Sequence, residues 1–168
     1  MTKPDFQDYS LAMFCDGSRV FTSSEPGLKP LVEWLEIYRG KYQGCLLHDK
    51  VVGLAAAKLI VYSGLISEVV TGVSSAPAKY FLLDRGVSVR AALCADNILT
   101  RDGTAICPGE VIALETDDRD EFLMRIYRMV KVNIDDYKNC RGQCGYTPWC
   151  RECIESRGLT AESTTSNF

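Results

Sequence analysis

The chain has 168 residues, of which 46% are hydrophobic, so it is long enough for one domain with a real core and a short appendage. Its formal net charge of −3 argues against binding to nucleic-acid polymers, which requires a basic face. The sequence shows no apolar run long enough to span a membrane and no signal peptide, so we expect a cytoplasmic protein.

The first predicted elements are a β-hairpin and a helix. Residues 10–15 and 19–22 are short β-prone runs, and Asp16-Gly17 between them is a strong signal for a two-residue turn. Apolar residues then recur at helical spacing from residue 28 to residue 35, which predicts an amphipathic helix that ends at Gly40. Neither element suggests a chemical role.

The central segment is predicted to hold the functional site. Residues 44–47 have β character, His48-Asp49-Lys50 is a polar turn, and residues 51–62 are apolar on nearly every side, which is typical of a buried helix. A strand that enters a helix through a polar turn places side chains and free backbone N–H groups at the C-terminal edge of a sheet. Open α/β folds bind their ligands at this edge.

Two further strands and a helix continue an alternating pattern. Residues 66–73 and 87–93 are predicted inner strands, with a helix between them that has Ser75 as its N-cap and Pro77 in its first turn. The order from residue 44 onward is therefore β-α-β-α-β. Because the connections are short, this order predicts parallel strands with right-handed crossovers.

The C-terminal third is predicted to add two helices and an extension. After a turn at residues 101–104, Cys107-Pro108 begins a helix in which Glu110 occupies the first turn, where the helix dipole favours a carboxylate. A final helix is predicted at about residues 120–132. We therefore expect one domain over residues 1–134 and a cysteine-rich extension with a polar tail over residues 135–168.

The eight cysteines fall into two groups. Four are scattered and, in a reducing cytoplasm, are expected to be buried thiols, with Cys107 as an exception: Cys15, Cys45, Cys94 and Cys107. The other four lie together in the extension: Cys140, Cys144, Cys150 and Cys153. Their spacing predicts a zinc site or an iron–sulfur cluster, with two disulfides or free thiols as the alternatives.

Three segments in combination resemble an uncharacterised bacterial family, domain of unknown function 1893, which is placed in the cytidine-deaminase-like superfamily. They are Asp49-Lys50-Val51-Val52-Gly53 with the alanines that follow, Ser75-Ala76-Pro77-Ala78, and Arg101-Asp102-Gly103-Thr104 with Cys107-Pro108. The resemblance covers about residues 9–130. It implies a three-layer α/β/α sandwich of cytidine-deaminase type, with a mixed sheet and an N-terminal β-hairpin.

The comparison with true deaminases predicts a pocket without zinc. Those enzymes bind zinc through a His (or Cys)-x-Glu motif and a Pro-Cys-x-x-Cys motif, and the Glu shuttles protons. Here the corresponding segments read His48-Asp49-Lys50 and Pro77-Ala78-Lys79-Tyr80-Phe81. Both cysteines are missing and a lysine replaces the Glu, so three protein ligands are not available. We expect no zinc in this pocket and no zinc-dependent deamination.

Two predicted helix starts, at Asp49-Lys50 and at Ser74-Ser75, are expected to lie side by side. Their free N–H groups and positive partial charge suit a phosphate or carboxylate, and Lys50 adds a full charge. With His48, Arg101 and Asp102, these residues form the predicted site for a nucleotide-like or anionic small ligand. The alternative is that Asp49 and Ser75 only cap helices and that Lys50 is a solvated surface group.

Other functions remain open. Cys107 at a helix start is placed where a thiolate is stabilised, so it is a candidate nucleophile for a redox or group-transfer enzyme, with Lys50 as a second candidate catalytic residue. The alternative for Cys107 is a buried small residue before a proline. A partner-binding scaffold and a homo-oligomer are further alternatives that the sequence does not exclude.

Overall fold

The computed structural model of the chain describes residues 3–38 and 40–131. In these residues the chain is an α/β protein with five strands and five helices. The strands are β1 (Leu11–Cys15), β2 (Ser18–Ser23), β3 (Cys45–Val52), β4 (Ile66–Ser75) and β5 (Ser88–Ala95). The helices are α1 (Lys29–Tyr38), α2 (Leu54–Ser63), α3 (Ala76–Asp84), α4 (Pro108–Glu115) and α5 (Arg119–Val130). Over the described ranges, no helix has the length and apolar character needed to cross a membrane.

The strands form one mixed sheet in the order β2-β1-β3-β4-β5. Strand β1 pairs antiparallel with β2 and β3, whereas β3, β4 and β5 are parallel. The predicted hairpin is confirmed, since Asp16 and Gly17 both have positive φ angles, 52° and 76°, as the favoured two-residue turn requires. The predicted β-α-β-α-β order with parallel strands is also confirmed.

One face of the sheet forms the hydrophobic core with the helices. Leu11, Met13, Leu47 and Val69 lie side by side on this face and are fully buried. Helix α2 contacts each of the other four helices that the described residues form. Its first turn includes the buried small residues Ala55, Ala56 and Ala57, which let it lie close to its neighbours.

The opposite face of the sheet carries half-buried and polar side chains. Phe14, Leu46 and Val70 are half-buried here, and Arg90 pairs with Glu68 across β4 and β5, with 2.5 Å between Nη2 and Oε1. His48 also lies on this face, because neighbouring residues of a strand point to opposite sides. His48 and Asp49 are therefore separated by the sheet.

The predicted boundary between strand and helix in the central segment is wrong. His48-Asp49-Lys50 is not a turn, since β3 continues through all three residues to Val52, and α2 begins at Leu54 with Gly53 as its N-cap. Asp49 is therefore not a helix cap. The backbone of these residues pairs with β1 on one side and β4 on the other, so the sheet ladder satisfies polar groups that the sequence assigned to a turn.

Two of the scattered cysteines differ from the prediction of reduced thiols. Cys15 and Cys45 are buried, as predicted, but they form a disulfide between the end of β1 and the start of β3. These residues become neighbours through the pairing of β1 with β3, which their separation of 30 residues does not reveal. Cys94 is exposed on β5 rather than buried, and Cys107 is half-buried. The predicted ligands Cys140, Cys144, Cys150 and Cys153 lie outside the described residues.

Candidate functional site

A cavity of about 490 Å³ opens at the C-terminal end of β3, between the first turns of α2 and α4. Its polar wall residues are Ser10, Ser24, Asp49, Lys50, Thr100, Arg101, Cys107 and Glu110. Most of the remaining wall is apolar, with side chains from the start of β1, the segment before α1 and the loop after β5. This volume, and an apolar wall with a few polar groups, are typical of small-molecule sites.

Glu110, in the first turn of α4, is the polar residue that joins the two helix starts. It is only 2% exposed, and its Oε2 accepts a 2.5 Å hydrogen bond from the backbone N–H of Leu54, the first residue of α2. Its Oε1 is also buried and accepts no hydrogen bond from any residue that the structure describes. One oxygen thus caps α2, and the other is buried without a donor among the described residues.

The Glu110 side chain fits here because residue 53 is glycine. A Cβ atom at position 53 would lie 2.5 Å from Glu110 Oε2 and 3.0 Å from Cγ1 of Ile98. The φ angle of Gly53 is −92°, which any residue adopts, so available space and not backbone conformation requires the glycine. A larger residue would displace the carboxylate from Leu54.

Asp49 enters the same cavity from the end of β3. It is 9% exposed, and burial raises the pKa of its carboxyl group to about 7, although an N–H bond from Val51 at 3.4 Å acts in the opposite direction. Near neutral pH the side chain is therefore divided between a protonated form that donates a hydrogen bond and an ionised form that only accepts.

Two cations line the cavity from exposed positions, Lys50 from β3 and Arg101 from the loop between β5 and α4. Asp102 shapes this loop and is not part of the cavity wall. It accepts hydrogen bonds from the Thr100 hydroxyl at 2.6 Å and from the Thr104 hydroxyl and N–H at 2.8 and 3.1 Å. These bonds, that from Thr100 above all, lower the pKa of Asp102 to about 2.

Cys107 occupies the N-cap position of α4, so its predicted place at the start of a helix is confirmed. It is a free thiol, half-buried, and lines the cavity. Its backbone N–H donates to the carbonyl of Ile98 at 2.8 Å, which attaches the start of α4 to the loop that carries Arg101.

The C-terminal end of α4 is anchored by a buried lysine of α2. Lys58 Nζ donates to the carbonyl oxygens of Ala113 and Thr116, each at 2.7 Å. Burial lowers the pKa of this amine, while the nearby carboxylate of Asp117 raises it. Because α4 is attached to α2 at this end and through Glu110 at the other, the cavity wall between the two helices is held in place.

The structure places the remaining predicted site residues outside this cavity. His48 is fully buried on the opposite face of the sheet, with Nδ1 2.7 Å from the Tyr9 hydroxyl, and burial lowers the pKa of its imidazole. Ser74 and Ser75 are buried at the end of β4, and Ser75 is confirmed as the N-cap of α3, since its hydroxyl accepts from the N–H of Ala78 at 3.3 Å. The cavity thus lies at the starts of α2 and α4 rather than of α2 and α3.

The residues that the resemblance to deaminases assigns to the zinc-ligand positions do not fit a catalytic zinc. His48 is directed away from the cavity, and Ala78 and Phe81 have no donor atoms in their side chains. Within residues 3–38 and 40–131, no three His, Cys, Asp or Glu side chains are grouped closely enough to hold a metal ion.

Glu110 and Gly53 are site residues that the sequence analysis did not select as functional. The sequence placed Glu110 in the first turn of a helix, which is a common position for a carboxylate and not a functional signal. The contact of Glu110 with residues 53 and 54 spans 56 positions of sequence and depends on how α4 packs against α2.

Comparisons with known proteins match the part of the chain that contains the cavity. A family model described as domain of unknown function, DUF1893, matches residues 5–130, which include every residue of the cavity wall. A crystal structure of a DUF1893 family protein from Thermotoga maritima is 30% identical, covers 73% of this chain and 82% of that chain, and has a TM-score of 0.65. No curated protein matches the chain.

Proposed function

The chain belongs to the DUF1893 family, and we propose that it binds a small nucleotide-like ligand, with an anionic group, in the cavity at the end of β3. The observation that carries the proposal is this cavity, in which few polar side chains converge at the C-terminal end of a parallel strand. In open α/β sheets, ligands bind in crevices at this edge.

The distribution of charge supports an anionic group on the ligand. Lys50 and Arg101 are exposed, line the cavity and form no ion pair with another described residue. A guanidinium group matches the geometry of phosphate and carboxylate oxygens, and a lysine adds a mobile point charge. The acidic residues, by contrast, are buried. An anion therefore binds between the two cations, and the rest of the ligand enters the apolar part of the cavity.

The assignment to the cytidine-deaminase-like superfamily is part of this proposal. It is supported by the hairpin, by the mixed sheet and by the buried helix that follows β3. The protein would then keep the ligand pocket of that fold without the zinc ligands, so that it binds a nucleotide-like molecule and does not deaminate it.

A second candidate function is thiol chemistry at Cys107, because this free cysteine lines the same cavity at the start of α4. A reactive thiol there would be alkylated by iodoacetamide faster than the exposed Cys94, and a bound nucleotide would protect it. Alkylation of Cys94 before Cys107 would contradict this function.

The binding proposal is tested by thermal shift and calorimetry with nucleoside monophosphates, nucleosides and inorganic phosphate. A ligand stabilises the folded protein in proportion to RT ln(1 + [L]/Kd), so binding raises the melting temperature. We expect at least one monophosphate to bind, and Lys50→Gln or Arg101→Gln to weaken it about tenfold, because each variant removes a charge-assisted hydrogen bond.

Lys41→Gln is the matched control, since Lys41 is an exposed lysine beside a different cavity. Its monophosphate affinity is expected to equal that of the parent. If no monophosphate binds, or if Lys50→Gln and Arg101→Gln both bind as tightly as the control, the proposal is wrong.

A further inference from the structure

We infer that the ligand presents a hydrogen-bond donor to Glu110 Oε1, and that this donor is an amidine, an amine or an N–H edge of a heterocycle. Because this contact lies in the same cavity, it rests on the proposed function. It concerns the buried part of the ligand, whereas the proposed function concerns the anionic group at Lys50 and Arg101.

The first argument is the incomplete hydrogen bonding of Glu110. A buried carboxylate is unfavourable unless both oxygens have donors, yet only Oε2 has one, from Leu54, among the described residues. Capping α2 does not require this arrangement, since a serine or aspartate at the N-cap performs the same role locally. Here the N-cap is Gly53, and the cap comes from another helix with one oxygen left over.

The second argument is that three features hold the Glu110 carboxylate in one position. The Leu54 N–H holds Oε2, the missing side chain at Gly53 provides the space, and Lys58 anchors the far end of α4. A group held in this way loses little conformational entropy when a ligand binds, so it favours one donor position over others.

The third argument is the chemistry of the buried part of the wall. Glu110 and Asp49 are the acidic residues of the cavity wall, and both are buried. An anionic group there would be repelled by Glu110, whereas an N–H donor gains a charge-assisted hydrogen bond. Asp49, with a pKa of about 7, donates or accepts as the ligand requires. The buried part of the cavity therefore selects donors over anions.

Three planar probes of equal size test this contact: benzamidine, benzamide and benzoate. They share a phenyl ring that suits the apolar wall and differ in the number of N–H donors and in charge. By calorimetry on the full chain, we expect benzamidine to bind at least about tenfold more tightly than benzoate, with benzamide between them. Equal binding of benzamidine and benzoate, or no binding of benzamidine, would overturn the inference.

Glu110→Gln tests the residue directly. Glutamine keeps an oxygen for the Leu54 N–H and removes the charge, so we expect benzamidine to bind about tenfold more weakly. Glu115→Gln is the matched control on the same helix, since Glu115 is exposed and pairs with Arg125 at 3.4 Å. If benzamidine binds Glu110→Gln and Glu115→Gln equally well, Glu110 is not the contact.

A second variant and a direct readout keep the test decisive if Glu110→Gln does not fold. Gly53→Ala keeps the charge but displaces the carboxylate, and it is expected to weaken benzamidine binding as well. In the parent protein, benzamidine should shift the amide resonance of Leu54, and binding without such a shift would refute the contact. Failure of the nucleotide and phosphate experiments, with benzamidine bound at Glu110, would refute the proposed function alone.

Discussion

Asp49→Asn should change how the stability of the protein depends on pH. Burial raises the pKa of Asp49 from its ordinary value of 3.8 to about 7 in the folded protein. The unfolded chain therefore releases this proton near pH 4, while the folded chain keeps it until about pH 7. The stability that protonated Asp49 supplies is fully present below the lower pKa and is lost as the pH rises to the upper one. Asparagine does not ionise, so the stability of the variant does not fall with pH for this reason.

The size of the effect follows from the separation of the two pKa values. Between them, the free energy of unfolding falls by about 1.4 kcal/mol for each pH unit, because the folded state holds one more proton than the unfolded state. Over the interval from 3.8 to about 7 the full loss is on the order of 4 kcal/mol. The free energy of unfolding of Asp49→Asn, relative to that of the parent, should therefore rise by up to about 4 kcal/mol between about pH 4 and pH 8.

The assay is urea unfolding followed by far-UV circular dichroism, on parent and variant, at intervals from about pH 4 to pH 8. Other carboxyl groups titrate equally in both proteins, so the difference between the two free energies isolates Asp49. Asp96→Asn, at an exposed position after β5, is the control for removal of a carboxylate. A constant difference for Asp49→Asn, or one that falls as the pH rises, would refute the reasoning.

Two other predictions concern the framework around the cavity. Lys58→Met should lower the free energy of unfolding by about 1–3 kcal/mol, because the buried carbonyls of Ala113 and Thr116 lose their donor; unchanged thermal melting would contradict this. Cys15→Ser should lower the free energy of unfolding by about 2–4 kcal/mol under oxidising conditions, since the disulfide to Cys45 restricts the unfolded chain. This loss should vanish when both proteins are melted in a reductant. A loss that persists in the reductant would show that packing, and not the disulfide, is responsible.

The order of strands and helices could be predicted from the sequence because each element has a local signal. The Asp16-Gly17 turn and the Ser75 cap are examples in which side-chain chemistry within a few residues determines the structure. His48-Asp49-Lys50 was misassigned because three polar residues in succession are typical of a turn. In the fold, each of the three has a different environment: Tyr9 for His48, a buried position in the cavity wall for Asp49 and an exposed one for Lys50.

The candidate site could be predicted only in part. Asp49, Lys50, Arg101 and Cys107 do meet in one cavity, and each lies next to an element boundary that the sequence identifies approximately. Glu110 could not be selected, because its role depends on contact with a backbone N–H far away in the chain. The same holds for the Cys15–Cys45 pair, which only the register of β1 and β3 brings together.

The cap of α2 by Glu110 has a consequence for the order in which the protein forms during synthesis. The segment from β3 to β5 is synthesised, and leaves the ribosome, ahead of residue 110, so its strands and helices can assemble first. The first N–H of α2 has no carboxylate to bind until α4 packs against α2. Glu110 and Leu54 are 56 residues apart in the sequence, and contacts between residues so far apart form late. The cavity is thus completed only after β3, α2 and the rest of that segment have formed.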